Sequence, residues 1–325
     1  MPAPKSSDIL HALRRHYTGP AHSIRRFNTG LAHYVYEVMT DGDPIVVRMA
    51  DSAEWNGIPG GVYWGDRLRP LGVPLPKLIG HDLAAPYPYM LLERLPGRDL
   101  GDVYPSLSPS QKKTIALQIA DIQARVAALP HARWYGYLSS YEFPQEPHPT
   151  WLAVLEDGLR RAENLIRRAG IFDPEIVQRA RRAAAPWEPY FASVPPAPFL
   201  DDTTTKNVLI LDGALSGLVD VDVMCFGDRL DVLALTNMAL LSRGWDTDYV
   251  EYWAEAWQLT AAQMRTTHLY TLLHGVYFLG EVGQAFNREE ADVVDEAYAA
   301  HLREVVEGLM ERMARRGDGF ADLAR

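Results

Sequence analysis

The sequence predicts an α+β fold that changes character once along its length, and three observations predict it. Short apolar runs alternate with turn residues between positions 24 and 49, and apolar residues recur at helical spacing from Ser108 onward. The change between the two regimes falls at Pro96-Gly97, and no internal repeat, low-complexity stretch or long linker divides the 325 residues further.

Taken in order, residues 6–16 read as a short amphipathic helix with Ser7 as its cap and Ile9, Leu10 and Leu13 on one face. Runs at 24–27, 34–38 and 45–49, separated by Asn28-Thr29-Gly30 and Asp41-Gly42-Asp43-Pro44, make three strands of an antiparallel meander. The glycine-rich stretch that follows has room for one or two helical turns over 63–68. Residues 73–79 and the apolar run from Tyr89 add two strands, the second broken by Pro96-Gly97.

Helices then dominate. Ser108-Pro109 is a cap and first-turn pair, and Ile115, Ile119, Ile122, Val126 and Leu129 form one core face of a helix ended by Pro130. Residues 134–149 read as an irregular aromatic and proline-rich loop, with His131 and His148 at its surface. A helix over 150–169 stops at Gly170, and Asp173-Pro174 starts another running toward Pro186. Beyond Leu241 come helices over 247–259, from Thr260 to about 286, and over 289–316; Tyr249, Tyr252, Trp253 and Trp257 recur at helical spacing and read as packing.

Composition bounds the function. With 47% hydrophobic and 23% charged residues the chain is an ordinary globular protein. A net charge of −10 argues against a nucleic-acid partner and is compatible with a cationic ligand. Cys225 is the only cysteine, so no intrachain disulfide forms and it reads as a small buried apolar residue. No stretch approaches the roughly 18 apolar residues of a membrane span, and no signal-peptide segment is evident, so a cytoplasmic protein is expected.

The chemistry concentrates in residues 198–235. After Phe199-Leu200 comes a polar loop of Asp201, Asp202 and three threonines; Asn207 opens the apolar run 208–211, which Asp212-Gly213 turns back into a second run ending at Asp220. Asp202, Asn207 and Asp220 can therefore meet at one end of a hairpin. Magnesium needs few protein oxygens beside those of a phosphate, so one carboxylate and one amide suffice, and the other carboxylate is free to take a proton from an attacking hydroxyl.

These residues resemble the catalytic and metal loops of the aminoglycoside phosphotransferase family, small-molecule kinases built like protein kinases, whose usual form is HGDxxxxN followed by a strand ending IDWE. The resemblance covers nearly the whole chain. It implies a two-lobed protein-kinase-like fold, with residues 1–96 as a nucleotide-binding lobe and 97–325 as a helical lobe for catalysis and substrate. Asp202 matches the catalytic aspartate, Asn207 and Asp220 the magnesium ligands, and Asp222 a second acid often found there; Gly227-Asp228 and Asp231 resemble an architectural GDPxxD. In the first lobe, Arg48 falls at the phosphate-holding lysine, similar to the hygromycin B branch. Gly30 lies in the phosphate-covering turn, Met90 lines the adenine pocket, and backbone groups of Glu93 and Leu95 would bond the purine.

Three departures stand beside this. Leu200 replaces the usual histidine, Asp201 the usual glycine, and Arg48 the lysine, whose acidic partner is open between Glu54 and Asp66. The implied activity is transfer of a phosphoryl group from magnesium ATP or GTP to a hydroxyl of a small, aminoglycoside-like molecule, with Asp157, Glu163, Glu251, Glu255 and Glu281 as unassigned acids of the helical lobe. The same fold serves metabolic kinases of choline, homoserine or sugar type, and the departures leave open an inactive nucleotide-binding protein.

Overall fold

The computed structural model describes residues 3–27, 33–50, 56–142, 147–284 and 294–315. Gly30 and Glu54 lie outside them.

Helix α1 (Ser6–Arg14) precedes a five-stranded antiparallel sheet of β1 (Ala21–Phe27), β2 (Tyr34–Thr40), β3 (Ile45–Met49), β4 (Leu78–Asp82) and β5 (Tyr89–Glu93), in the order β1-β2-β3-β5-β4. Strand alternation sorts the side chains. Ile45, Val47, Met49, Tyr89 and Leu91 bury one face against Ile9, Ala12 and Leu13 of α1. The opposite face carries Val46, Arg48, Met90 and Leu92, with Arg48 paired to Met90 and Val46 to Leu92. Across this second face runs α2 (Ile58–Leu68), three turns where the sequence allowed two at most.

Two local expectations change. Helix α1 is capped at Lys5, whose N–H donates to Asp8 at 2.8 Å, so Ser7 sits inside the first turn. Strand β4 starts at Leu78, not at 73, because Pro74 and Pro76 have no N–H to give a ladder.

The remainder is built around β6 (Arg98–Asp99), α3 (Leu100–Val103), α4 (Pro109–Val126), β7 (Gly136–Leu138), α5 (Trp151–Ala169), α6 (Glu175–Ala184), α7 (Glu188–Ser193), β8 (Ala197–Phe199), β9 (Val208–Leu211), β10 (Ala214–Leu218) and β11 (Met224–Gly227). Helices α8 (Leu230–Leu241), α9 (Asp248–Ala256), α10 (Ala261–Glu281) and α11 (Glu296–Arg315) complete the chain. Helix α10 is buried along most of its length and packs against α5, α8 and α11. It ends at Glu281, short of 286, because Val282 is extended and Gly283 takes φ 78°. The stretch 134–149 is not wholly irregular: β7 pairs with β11, which also pairs with β8. Tyr249 and Trp253 are fully buried, as packing residues should be. Among the described residues no helix is long and apolar enough to cross a membrane.

Candidate active site

The hairpin β9–β10 turns through Asp212 and Gly213, both at positive φ (51° and 79°), the backbone a two-residue hairpin turn requires. Its open end is closed by the Val219 N–H donating to the Asn207 carbonyl at 3.0 Å, which brings Asn207 beside Asp220. The Asn207 amide donates through Nδ2 to the Asp202 main-chain carbonyl at 3.0 Å, so its Oδ1 is turned away from that bond. Asp202 itself is exposed, and its Oδ1 accepts from the Thr204 hydroxyl at 2.8 Å. Asp220 sits at φ 63°, a strained backbone for a residue with a Cβ, and its side chain is 53% exposed. The three residues singled out from sequence thus share one end of one hairpin.

An oxygen from an amide and an oxygen from an open carboxylate, side by side, are the hard donors magnesium takes, and they fit that ion. Crowding by protein raises the Asp202 carboxyl; the Thr204 hydroxyl opposes this, and the nearby Asp220 charge adds to it.

The loop holding Asp202 is positioned from behind. Leu200 is buried, and the Gln123 side chain of α4 clamps its backbone: the Leu200 N–H donates to Gln123 Oε1 at 3.0 Å, while Gln123 Nε2 donates to the Leu200 carbonyl at 2.7 Å and to Thr203 Oγ1 at 3.0 Å. Leucine in place of the usual histidine is thus accompanied by a glutamine latch. The signal was a polar residue on an otherwise apolar helix face. Gln123→Leu should strand two buried backbone groups, at about 1–3 kcal/mol each, and lower kcat at least about tenfold through misplacement of Asp202; thermal melting alongside steady-state rates would check both. Asp201, half-buried beside Asp202, has its carboxyl pushed up to about 8 by burial first and the Asp202 charge second, so it does not act as a second anion at neutral pH.

Arg48 crosses from the sheet to the same hairpin end. Its Nη1 and Nη2 donate to the two oxygens of Asp222 at 2.9 and 2.8 Å, and Nη2 also donates to Asp220 at 2.6 Å. The acid that answers Arg48 is therefore neither Asp66, which is exposed and lies 3.7 Å from Arg69, nor one of the preceding segment's described residues. Burial, and then the Arg48 charge, lower His33 to about 3, which leaves it neutral; its Nε2 faces the Gly57 N–H at 3.2 Å, and its Nδ1 lies 3.1 Å from Arg48 Nη2 and 3.4 Å from Asp222. His33, Asp220 and Asp222 each bring a ligand atom within 4.8 Å of the others, but the guanidinium already occupies that cluster.

On the nucleotide side, Met90 and Leu92 are buried with Ala50 and Ile58 in a small apolar cluster beside Arg48. The Glu93 N–H donates to the Lys77 carbonyl at 2.9 Å and so is spent within the sheet, and the Leu95 carbonyl accepts from Arg94. Of the purine-bonding groups expected there, the Glu93 carbonyl and Leu95 N–H are those with no such bond shown among the described residues. The Ser216 hydroxyl donates to the Pro96 carbonyl at 2.7 Å, tying this segment to the hairpin.

A cavity of about 480 Å³ opens among α5, α10 and the β7–β11 pair, lined by Tyr137, Trp151, Asp157, Asp231, His274 and Tyr277. The β8–β11–β7 pairing lines up Phe199, Cys225 and Tyr137 in a row, two residues from Asp201. Tyr137 is 45% exposed because it stands in the cavity wall, with Trp151, Val154, Val223 and Tyr277. His148, read as a surface residue, lines it too, because an isolated bridge to Tyr135 folds it inward. The cavity's acids are paired: Asp157 with Arg160 and with Arg161 at 2.7 Å, and Asp231 with His274 at 2.9 Å. Glu163 and Glu255 are tied elsewhere, to Arg181 and Lys113. Glu281 lies at the end of α10 with its side chain reaching solvent; protein crowded around its carboxyl raises it, the Lys206 charge opposes this and the Asp202 charge adds to it, so it stands within electrostatic reach of Asp202. Asp228, by contrast, is architectural: it accepts from Tyr190 and Tyr270 and caps α8 through the Leu230 N–H. Cys225 is fully buried, as expected.

The sequence profile of the phosphotransferase enzyme family (APH) matches residues 23–269, well over half of the chain. No curated protein matches the sequence. Among solved structures, a thermostable mutant of aminoglycoside phosphotransferase APH(4)-Ia in ternary complex with AMP-PNP and hygromycin B is similar at a TM-score of 0.64, with 15% identity over 97% of this chain and 100% of that one. ADP-bound aminoglycoside phosphotransferase APH(2'')-Ib gives 0.62, with 12% identity over 95% and 99%. A fructosamine-3-kinase, so assigned provisionally, from Haemophilus somnus 129PT gives 0.61, with 13% identity over 94% and 96%. At these identities the likeness is one of fold, and the fold is the kinase-like one.

Proposed function

The chain belongs to the phosphotransferase enzyme family, and from that premise we propose that it moves the γ-phosphoryl group of a magnesium nucleotide, ATP or GTP, to a hydroxyl of a small molecule. The observation that carries this reading is the hairpin end where Asp202, Asn207 and Asp220 meet beneath Arg48. Asp202 orients the acceptor hydroxyl and takes its proton; the hydroxyl oxygen bonds to the γ-phosphorus as the bond to the β–γ bridging oxygen breaks, and the nucleoside diphosphate leaves. Asn207 and Asp220 would hold the magnesium, which when bound neutralises phosphate charge. Arg48 faces the phosphates, Met90 lines the purine pocket, and the Glu93 carbonyl and Leu95 N–H bond the purine edge. In this reading residues 1–96 serve the nucleotide and 97–325 the acceptor, in a cytoplasmic enzyme with no nucleic-acid partner.

For the acceptor, the hygromycin B and streptomycin complexes among the similar structures support an aminoglycoside-like molecule, which would suit the chain's net charge of −10. The cavity favours a second reading. With Asp157 and Asp231 already paired and much of the wall apolar or aromatic, the described residues of this cavity offer a polycation little open negative charge, so a metabolic acceptor of lower charge fits as well. A phosphoryl-transfer assay with both nucleotides over aminoglycosides, amino alcohols and sugars separates them. Transfer confined to compounds with several amines supports the first, transfer to singly charged or neutral hydroxyl compounds the second. Binding of magnesium nucleotide with no transfer to any acceptor would point to the inactive alternative.

A further inference from the structure

We propose that Asp222 is the positioning residue that holds Arg48 for phosphate contact, taking the place of an acid on the helix that crosses the sheet; the inference rests on reading this site as a phosphoryl-transfer centre. Helix α2 cannot supply that acid. Its one acidic residue, Asp66, is exposed and turned to Arg69. Where α2 approaches the site it has only glycine: a Cβ at Gly60 would lie 1.9 Å from the Asp222 carbonyl oxygen, and one at Gly61 would lie 2.7 Å from Asp222 Oδ1 and 2.5 Å from the Met90 methyl. The helix therefore packs directly on Asp222, with no room for a carboxylate of its own.

Asp222 and Asp220 have different surroundings. Asp222 is 4% exposed and spends both oxygens on both terminal nitrogens of a buried guanidinium, while Asp220 is open and takes only Nη2. A sealed, bidentate carboxylate is suited to anchoring, and an open one to a ligand. The pairing also accounts for arginine at position 48. An ammonium is a point charge and could not match both carboxylate oxygens in a plane, whereas a guanidinium anchored through Asp222 can release Asp220 and still keep its place. Burial pushes the Asp222 carboxyl up to about 6, and the guanidinium keeps it ionised at neutral pH.

The test is a double-mutant cycle on the full chain, with Asp222→Asn, Arg48→Met and the pair together, reading the Kd of magnesium AMP-PNP by calorimetry and the magnesium concentration at half-saturation. Asp222→Asn is expected to weaken nucleotide binding about 10- to 100-fold with Arg48 present, to add little in the Arg48→Met background, and to leave the magnesium requirement unchanged. An equal loss in both backgrounds, or a shifted magnesium requirement, would make Asp222 a metal ligand and overturn the proposal; so would an unchanged Kd in the single variant. Should a single variant fail to fold, the guanidinium NMR signals of Arg48 in the wild-type chain decide. Restricted rotation that persists with magnesium AMP-PNP bound supports the anchor, and rotation freed by the nucleotide refutes it. If the wild-type chain binds no magnesium nucleotide, the phosphoryl-transfer reading itself fails, an outcome separate from each of these.

Discussion

Asp202→Asn is expected to lower kcat by about 10²- to 10⁴-fold, the usual worth of a positioned general base, while nucleotide Kd and melting temperature stay near wild type. The amide keeps the size of the carboxylate and can still accept from Thr204, and the bond from Asn207 goes to the Asp202 main chain, so the loop geometry survives the change. What is lost is the capacity to take a proton. Crowding by protein raises the Asp202 carboxyl and the Asp220 charge adds to that, which strengthens it as a base. Single-turnover transfer measured beside calorimetric nucleotide binding separates the effects. A kcat within tenfold of wild type would remove Asp202 from the proton's path.

The second large effect is expected at Asp220. Asp220→Asn should cost about 10²- to 10³-fold in transfer rate and raise the magnesium needed for half-saturation, with the melting temperature within a few degrees of wild type. Stability is spared for two reasons. Asparagine tolerates φ 63° as readily as aspartate. The bond to Arg48 comes from a carboxylate more than half exposed, so its loss is screened, and Asp222 still holds the guanidinium. A backbone strained at an open carboxylate is the pattern of a site kept for a ligand and not for the fold. Magnesium titrations of the transfer rate with the variant and wild type give the result; an unchanged half-saturation point would argue that Asp220 does not hold the metal.

Local chemistry made the hairpin legible in advance. Asp212-Gly213 can hardly be anything but a tight turn, and once it turns, Asn207 and Asp220 must arrive at the same end. The apolar runs of β3 and β5 were legible in the same way, but Arg48 and Met90 are assigned to the nucleotide by the resemblance, and that they pair across the two strands emerges only from the sheet register. Helix ends marked by Gly170 and Ser108 were readable for the same reason: capping is decided within a few residues.

The sequence by itself determined most of the longer elements, the turn, and the set of residues at the hairpin end, because periodicity and turn chemistry act over short distances. Tertiary structure alone decided which groups meet across long ones. Arg48 and Asp222 are 174 positions apart, and Gln123 reaches Leu200 across 77. No local rule relates such pairs; they are fixed by how closely glycine-bearing α2 can pack on Asp222 and by the need of buried polar groups, an arginine and a loop backbone, to find partners once water is excluded.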